Sequence, residues 1–332
     1  MRAERFLLSG LFGLSLAAAS PAVAVTFDWV TVGDPGNPGD TAVMDAHYGT
    51  TGYGAVSYSY QISKYEVTNA QYAEFLNAVA VQDDYDLYNS EMSSSPYGGI
   101  VQDGSVGSFS YSVKDGFEQK PVNFVSIVDA AYFANWLDNG QPVLPVDDPP
   151  LRGIEDGAYD LRDPRTIHRN PDAAIFLPSE NEWYKAAYYQ PASETSPAGY
   201  FLWPTGTNSS PSCVGPTAAP NSANCNDFQG PPSDLVPVGS YHGSASPNGT
   251  FDQGGNVFEW TETEYQFQDR VVRGGSFDQG YGDLRSEWRD SAPDNIGTYT
   301  IGFRVAAVVP EPGTGSLFAL GLLALGIRRR LR

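Results

Sequence analysis

Asp252-Gln253-Gly254-Gly255-Asn256-Val257-Phe258-Glu259-Trp260 sets two carboxylates seven positions apart around a double-glycine turn. Glycine lets the backbone turn tightly enough for main-chain carbonyls to converge beside those carboxylates, and hard oxygen donors of this kind suit Ca²⁺. Read from the residues alone, the same pattern also describes a solvated Asp and Glu about a structural turn. A second double glycine follows in Arg273-Gly274-Gly275-Ser276-Phe277-Asp278-Gln279-Gly280, which reads as a strand end, a turn and a short polar loop. Around these turns the pattern is one of short strands, Gly turns and Pro-rich loops. No helical period is evident beyond Gln190, and no internal repeat at a fixed period favours a propeller or solenoid.

The 332-residue chain has two ends that read as processing signals. Arg2 and Arg5 precede an apolar run, Phe6 to Ala19, and Ala22-Val23-Ala24 is an A-x-A cleavage pattern, so 1–24 reads as a secretory signal peptide. The run is shorter than the ~20 residues that span a bilayer. At the other end, Pro310-Glu311-Pro312 leads into a small, apolar stretch, 313–327, and then Arg328-Arg329-Arg330-Leu331-Arg332. A short apolar segment followed by arginines stalls in a membrane with its charge on the cytoplasmic side, which predicts a transient inner-membrane association through 313–327. A permanent tail anchor is the alternative.

The formal net charge is −20, and six of the basic residues lie in those two ends, so the body between them is more acidic still. Such a surface repels nucleic acid and anionic lipid and disfavours both as partners. The two cysteines, Cys213 and Cys225, fall in a Pro/Ser/Asn-rich loop without a neighbouring Lys, Arg or His to lower a thiol pKa. In an oxidising compartment they are expected to pair. The three histidines, His47, His168 and His242, are scattered among turns and read as surface residues rather than ligands.

Three helices are expected. One begins at Thr68, with Gln71 completing a capping box and Tyr72, Phe75, Leu76 and Val79 forming its apolar face. A second runs from Ile127 to Asp138 and stops at Asn139-Gly140. A third follows Pro178, capped by Ser179 and Glu182 and ended by Pro191. Between the first two, residues 82–119 read as an irregular inserted lobe.

Four segments together resemble the formylglycine-generating enzyme, or sulfatase-modifying factor, family. They are Tyr65-Glu66-Val67-Thr68-Asn69-Ala70-Gln71-Tyr72, Leu177-Pro178-Ser179-Glu180-Asn181-Glu182-Trp183, Gly254 to Trp260, and Arg273-Gly274-Gly275-Ser276 with Ile301-Gly302-Phe303-Arg304. The C-terminal Pro-Glu-Pro, apolar stretch and basic tail resemble the PEP-CTERM sorting signal of exopolysaccharide-producing Gram-negative bacteria, which implies removal by an exosortase. The expected organisation is a signal peptide over 1–24, one domain over 25–308 and the sorting signal over 309–332. The resemblance implies a single, loop-rich α+β domain related to the C-type lectin-like fold, with little regular secondary structure.

It also implies a structural calcium ion held by the side chains of Asp252 and Glu259 and the carbonyls of Gly255 and Val257. Catalytic members hold Cu(I) between two cysteine thiolates in the loop after Arg-Gly-Gly-Ser. Here Gln279 falls at the first of those positions, and no residue from Tyr281 to Leu284 is cysteine. Amide and carboxylate oxygens are poor Cu(I) ligands, so copper is not expected and no catalytic residue is assigned. Cys213 and Cys225 lie more than fifty positions earlier and are expected to be remote from this loop. The polar groups Arg273, Ser276, Asp278, Gln279 and Arg285 form a candidate surface for a peptide or saccharide, with Arg289, Trp288 and Arg304 equally readable as core supports. The functional expectation is an exported cell-surface or exopolysaccharide-associated binding or structural module. An oxygen- and copper-dependent oxidase that converts protein cysteine to formylglycine is the alternative.

Overall fold

The structure, a computed structural model, describes residues 24–44, 49–144, 153–163, 167–226, 234–266 and 269–309. The expected signal peptide up to residue 23, the apolar stretch 313–327 and His47 lie outside them. Among the described residues, no helix is long and apolar enough to cross a membrane.

In chain order the labelled elements are β1 (Trp29–Val32), β2 (Tyr60–Ser63), α1 (Asn69–Val79), β3 (Ile100–Asp103), β4 (Ser110–Val113), α2 (Ile127–Asp138), β5 (Ile175–Phe176), α3 (Glu180–Tyr188), β6 (Phe258–Gln266), β7 (Asp269–Arg273), β8 (Asp290–Pro293), β9 (Ile301–Gly302) and β10 (Ala306–Val308). Eight of these strands form two four-stranded sheets. The first is antiparallel in the order β1-β2-β10-β5, with Ile62 facing Val30 on one side and Ala306 on the other. The second runs β8-β7-β6-β9, with Glu259 opposite Arg273 across an antiparallel pair and opposite Gly302 across a parallel one. Long connections carry the rest, as the Gly and Pro content predicts.

The three expected helices all start on capping boxes, Thr68 with Gln71 and Ser179 with Glu182 as expected, and Ser126 with Asp129 beyond those expected. The third ends at Tyr188, earlier than Pro191, because Tyr189 is already extended and pairs with Tyr200. The first two helices bury their apolar faces in one aromatic core, whereas Trp183, Tyr184, Ala187 and Tyr188 of α3 form a separate cluster with Met44. Phe133 of α2 lies 5.8 Å from Tyr72, 5.4 Å from Phe75, 5.7 Å from Trp136 and 5.4 Å from Phe303, centroid to centroid.

Residues 82–119 are better organised than expected. They contain the β3-β4 hairpin, and Asn77 of α1 exchanges hydrogen bonds with the backbone of Tyr111 at 2.8 and 2.9 Å. Tyr111 also donates its hydroxyl to Ala80 O, so the segment packs on α1 rather than standing apart. Its apolar positions are spaced for a two-residue strand period that Gly and Ser content obscures. At the start of the body, Val25 is buried, and its N–H and C=O pair with the side chain of Gln141 at 2.7 and 2.8 Å.

Cys213 and Cys225 form a disulfide. It closes a loop of sequence separation 12, so replacing both with serine is expected to lower stability by about 3 kcal/mol on loop-closure entropy. Urea unfolding of the double variant measures this; an unchanged midpoint would show that the loop is held by its other contacts.

Candidate functional site

The two double-glycine turns meet. Gly255 donates its N–H to Gly274 O at 2.9 Å, and Phe277 donates to Asn256 O at 2.9 Å. Gly255 has φ +86, and a Cβ there would lie 2.2 Å from Asn224 O, so only glycine permits the approach. Asn256 is fully buried in a left-handed conformation and ties three segments together. Its Nδ2 donates to Glu66 at 2.9 Å, and its Oδ1 accepts from Asn224 Nδ2 at 3.0 Å and Val236 N at 3.2 Å.

Beneath the turns sits Glu259, fully buried at the junction of β6, β7 and β9. Its Oε1 accepts from Arg304 Nη2 at 2.6 Å, and its Oε2 accepts from Arg304 Nε at 2.5 Å and Trp183 Nε1 at 2.6 Å. Arg304 completes its coordination on the carbonyls of Ser63 and Phe251, each at 2.9 Å. Burial, followed by the charges of Asp252 and Glu259, holds the Glu66 carboxyl well above the usual range, against the pull of Arg304 and Asn256. Burial also pushes Asp252 up to about 6, with Glu259 adding to the rise and the Gly239 N–H and Arg304 opposing it.

The calcium ion expected at Asp252, Gly255, Val257 and Glu259 would share both carboxylates with protein donors already in place. Both oxygens of Glu259 are taken by a guanidinium and an indole, and Asp252 Oδ2 accepts the Gly239 N–H at 2.5 Å. The sequence places Arg304 45 positions from Glu259, so no local pattern pointed to this counter-charge. The melting temperature is therefore expected to be the same in EDTA as in millimolar calcium. A calcium-dependent rise that Glu259→Gln abolishes would put the ion back.

The candidate surface divides. Arg273 and Ser276 are buried, which corrects their assignment to a binding face. Arg273 Nε bonds Glu180 Oε1 at 2.8 Å, and Glu180 also holds Arg289 at 2.8 and 2.9 Å. Burial opposes ionisation of Glu180, but the two guanidiniums outweigh it and keep the carboxyl below its ordinary value. Ser276 donates its hydroxyl to Gln279 Oε1, closing the loop on itself. Asp278 is exposed and accepts from Tyr299 at 2.7 Å, and Gln279 and Arg285 are half-buried. Trp288, open to a role in the core, is instead 45% exposed, whereas Arg289 and Arg304 are supports.

The disulfide is not remote from this loop. Cys225 packs with Trp203, Ala223 and Leu284, with Cys213 against the same cluster, and Asn226 donates its N–H to Gln279 O at 2.7 Å. Separation along the chain was a poor guide because the intervening residues return as the 254–280 turns. A further network that no motif signalled joins Arg169 to Glu182 and Glu262 at 2.6 and 2.7 Å. His168 and His242 are exposed, as expected.

The meeting of all four motif segments around Glu259 and Glu180 is matched by a family model, the sulfatase-modifying factor enzyme 1-like domain, over residues 44–309. The chain belongs to that family. A second model, the PEP-CTERM protein-sorting motif, matches residues 308–330. No curated protein matches the chain. Among solved structures, Treponema denticola variable protein 1 is similar with a TM-score of 0.53 and 15% identity, covering 87% of this chain and 98% of that one. CarF aligns with a TM-score of 0.49 and 20% identity over 86% of this chain and 99% of that one. PvdO from Pseudomonas aeruginosa aligns with 0.42 and 17% over 85% and 92%. At these identities the first likeness supports the mixed, helix-poor fold and nothing about activity. The sorting motif marks an exported, envelope-sorted protein that exosortase-type machinery recognises.

Proposed function

We propose that this sulfatase-modifying-factor-like domain is a non-catalytic binding or structural module of the cell surface or exopolysaccharide, tethered by its C-terminal segment before processing. The loop after Arg273-Gly274-Gly275-Ser276 carries the argument: its residue 279 is a glutamine whose amide oxygen is bound by Ser276, and no thiol is present there. Neither cysteine of the chain is free. Soft sulfur donors are what Cu(I) requires.

One observation favours a second reading, the copper- and oxygen-dependent oxidase. The Cys213–Cys225 pair packs beside this same loop, so reduction would place two thiols near Gln279. The mature domain, incubated with Cu(I), oxygen and a Cys-x-Pro-x-Arg peptide, is expected to form no aldehyde by mass spectrometry. Aldehyde formation would overturn the non-catalytic reading, and its loss in Cys213→Ser or Cys225→Ser would assign the chemistry to that pair.

A further inference from the structure

Trp288 is the one exposed tryptophan among the described residues: Trp136, Trp183, Trp203 and Trp260 are buried, and Trp29 packs on the core. It borders a cavity of about 290 Å³ whose other walls are Gly282, Asp283, Arg285 and Glu287. The segment that carries it is held from below. Buried Arg273, braced by Glu180, donates from Nη1 to the carbonyls of Ser286 at 2.9 Å and Trp288 at 2.5 Å. The Trp288 N–H in turn bonds Arg285 O at 2.9 Å. A tryptophan exposed on a backbone so restrained costs little further ordering when it is covered.

The walls narrow the class of ligand. Arg285 pairs with Glu287 at 2.9 Å, both about two-fifths exposed, and its enclosed Nε has no acceptor. Burial raises the Asp283 carboxyl, and the charge of Asp290 raises it further. Three nearby carboxylates against one guanidinium disfavour an anion in the cavity. A neutral ligand with one flat C–H face and an edge of hydroxyls satisfies both ends of the site. The indole takes the apolar face, and the carboxylates at the rim accept from hydroxyls.

We propose that this cavity is a subsite for one neutral pyranose unit of a polysaccharide, with Trp288 as the platform and Asp283, Arg285 and Glu287 as the polar rim. The proposal rests on the reading of the domain as a binding module and names the ligand of that module. The cavity is at the small end of ligand pockets, about 300 Å³, so one site binds one ring weakly and gains from repetition along a polymer.

Affinity electrophoresis of the mature domain tests this, in gels containing dextran, mannan or galactan as neutral polymers and alginate as the uronate polymer. Retardation is expected in at least one neutral gel and absent in alginate, and EDTA should not change it. Trp288→Ala should weaken it about tenfold, as for removal of a central aromatic anchor, and Trp288→Phe should retain part. Asp283→Asn, which keeps an acceptor and removes the charge, should weaken it less than Trp288→Ala. Circular dichroism confirms that each variant is folded, which an exposed substitution permits. No retardation by any neutral polymer, equal retardation of Trp288→Ala, or retardation by alginate alone would overturn the proposal. Aldehyde formation in the peptide assay would instead remove the non-catalytic reading while leaving a saccharide result standing.

Discussion

Glu259→Gln is expected to lower the unfolding free energy by about 3–5 kcal/mol, the usual cost of removing one partner from a buried ion pair. The carboxylate is fully buried and meets Arg304 through two hydrogen bonds and Trp183 through a third. A glutamine retains one acceptor but leaves the guanidinium without its counter-charge, and the remaining carbonyl partners, Ser63 and Phe251, cannot neutralise it. Urea unfolding reads the effect as a lower midpoint with an unchanged slope. The double variant Glu259→Met with Arg304→Met should recover part of the loss, because two apolar side chains leave no buried charge. Full recovery is not expected, since Trp183 and two carbonyls lose partners. A Glu259→Gln variant as stable as the parent would mean that the pair is solvated in solution.

Phe133→Ala should cost about 3–5 kcal/mol, the range for truncating a buried aromatic. The ring is fully buried and touches Phe27, Tyr72, Phe75, Trp136 and Phe303, which come from the first strand region, α1, α2 and the C-terminal motif. Removing it opens a cavity where no single neighbour can move in without pulling on a separate segment. Phe133→Leu, which keeps most of the volume, should cost less than half as much. Similar losses for both variants would show that the site collapses around the smaller side chain. Neither variant reaches the 282–288 cavity, so saccharide retardation should persist in whatever fraction remains folded.

These two sites explain what the motifs are for. Glu66, Trp183, Asn256, Glu259, Arg273 and Arg304 are the recognisable residues of the four segments, and all are buried. They bond one another and the turns that carry the exposed loop. The family signature in this chain is therefore a description of the scaffold. The surface that a ligand meets is built from residues outside it, Asp283, Glu287 and Trp288 among them.

The division between what was legible and what was not follows interaction range. Two helix starts were readable from the sequence because a capping box joins residues three positions apart, and Thr68 and Ser179 satisfy it within one turn of chain. The glycine turns were readable because φ above zero is a property of the residue itself, as at Gly255 and Gly274. The Cys213–Cys225 pairing was readable because the two lie close along the chain. Tertiary structure alone decided the partners of the charges: Arg304 meets Glu259 across 45 positions and Arg273 meets Glu180 across 93. A carboxylate beside a glycine turn looks the same in sequence whether a cation, water or a distant guanidinium faces it, because desolvation and charge compensation depend on what the fold brings near. The same reason put Arg273 inside, left Trp288 outside, and set the disulfide beside a loop from which chain distance had seemed to exclude it.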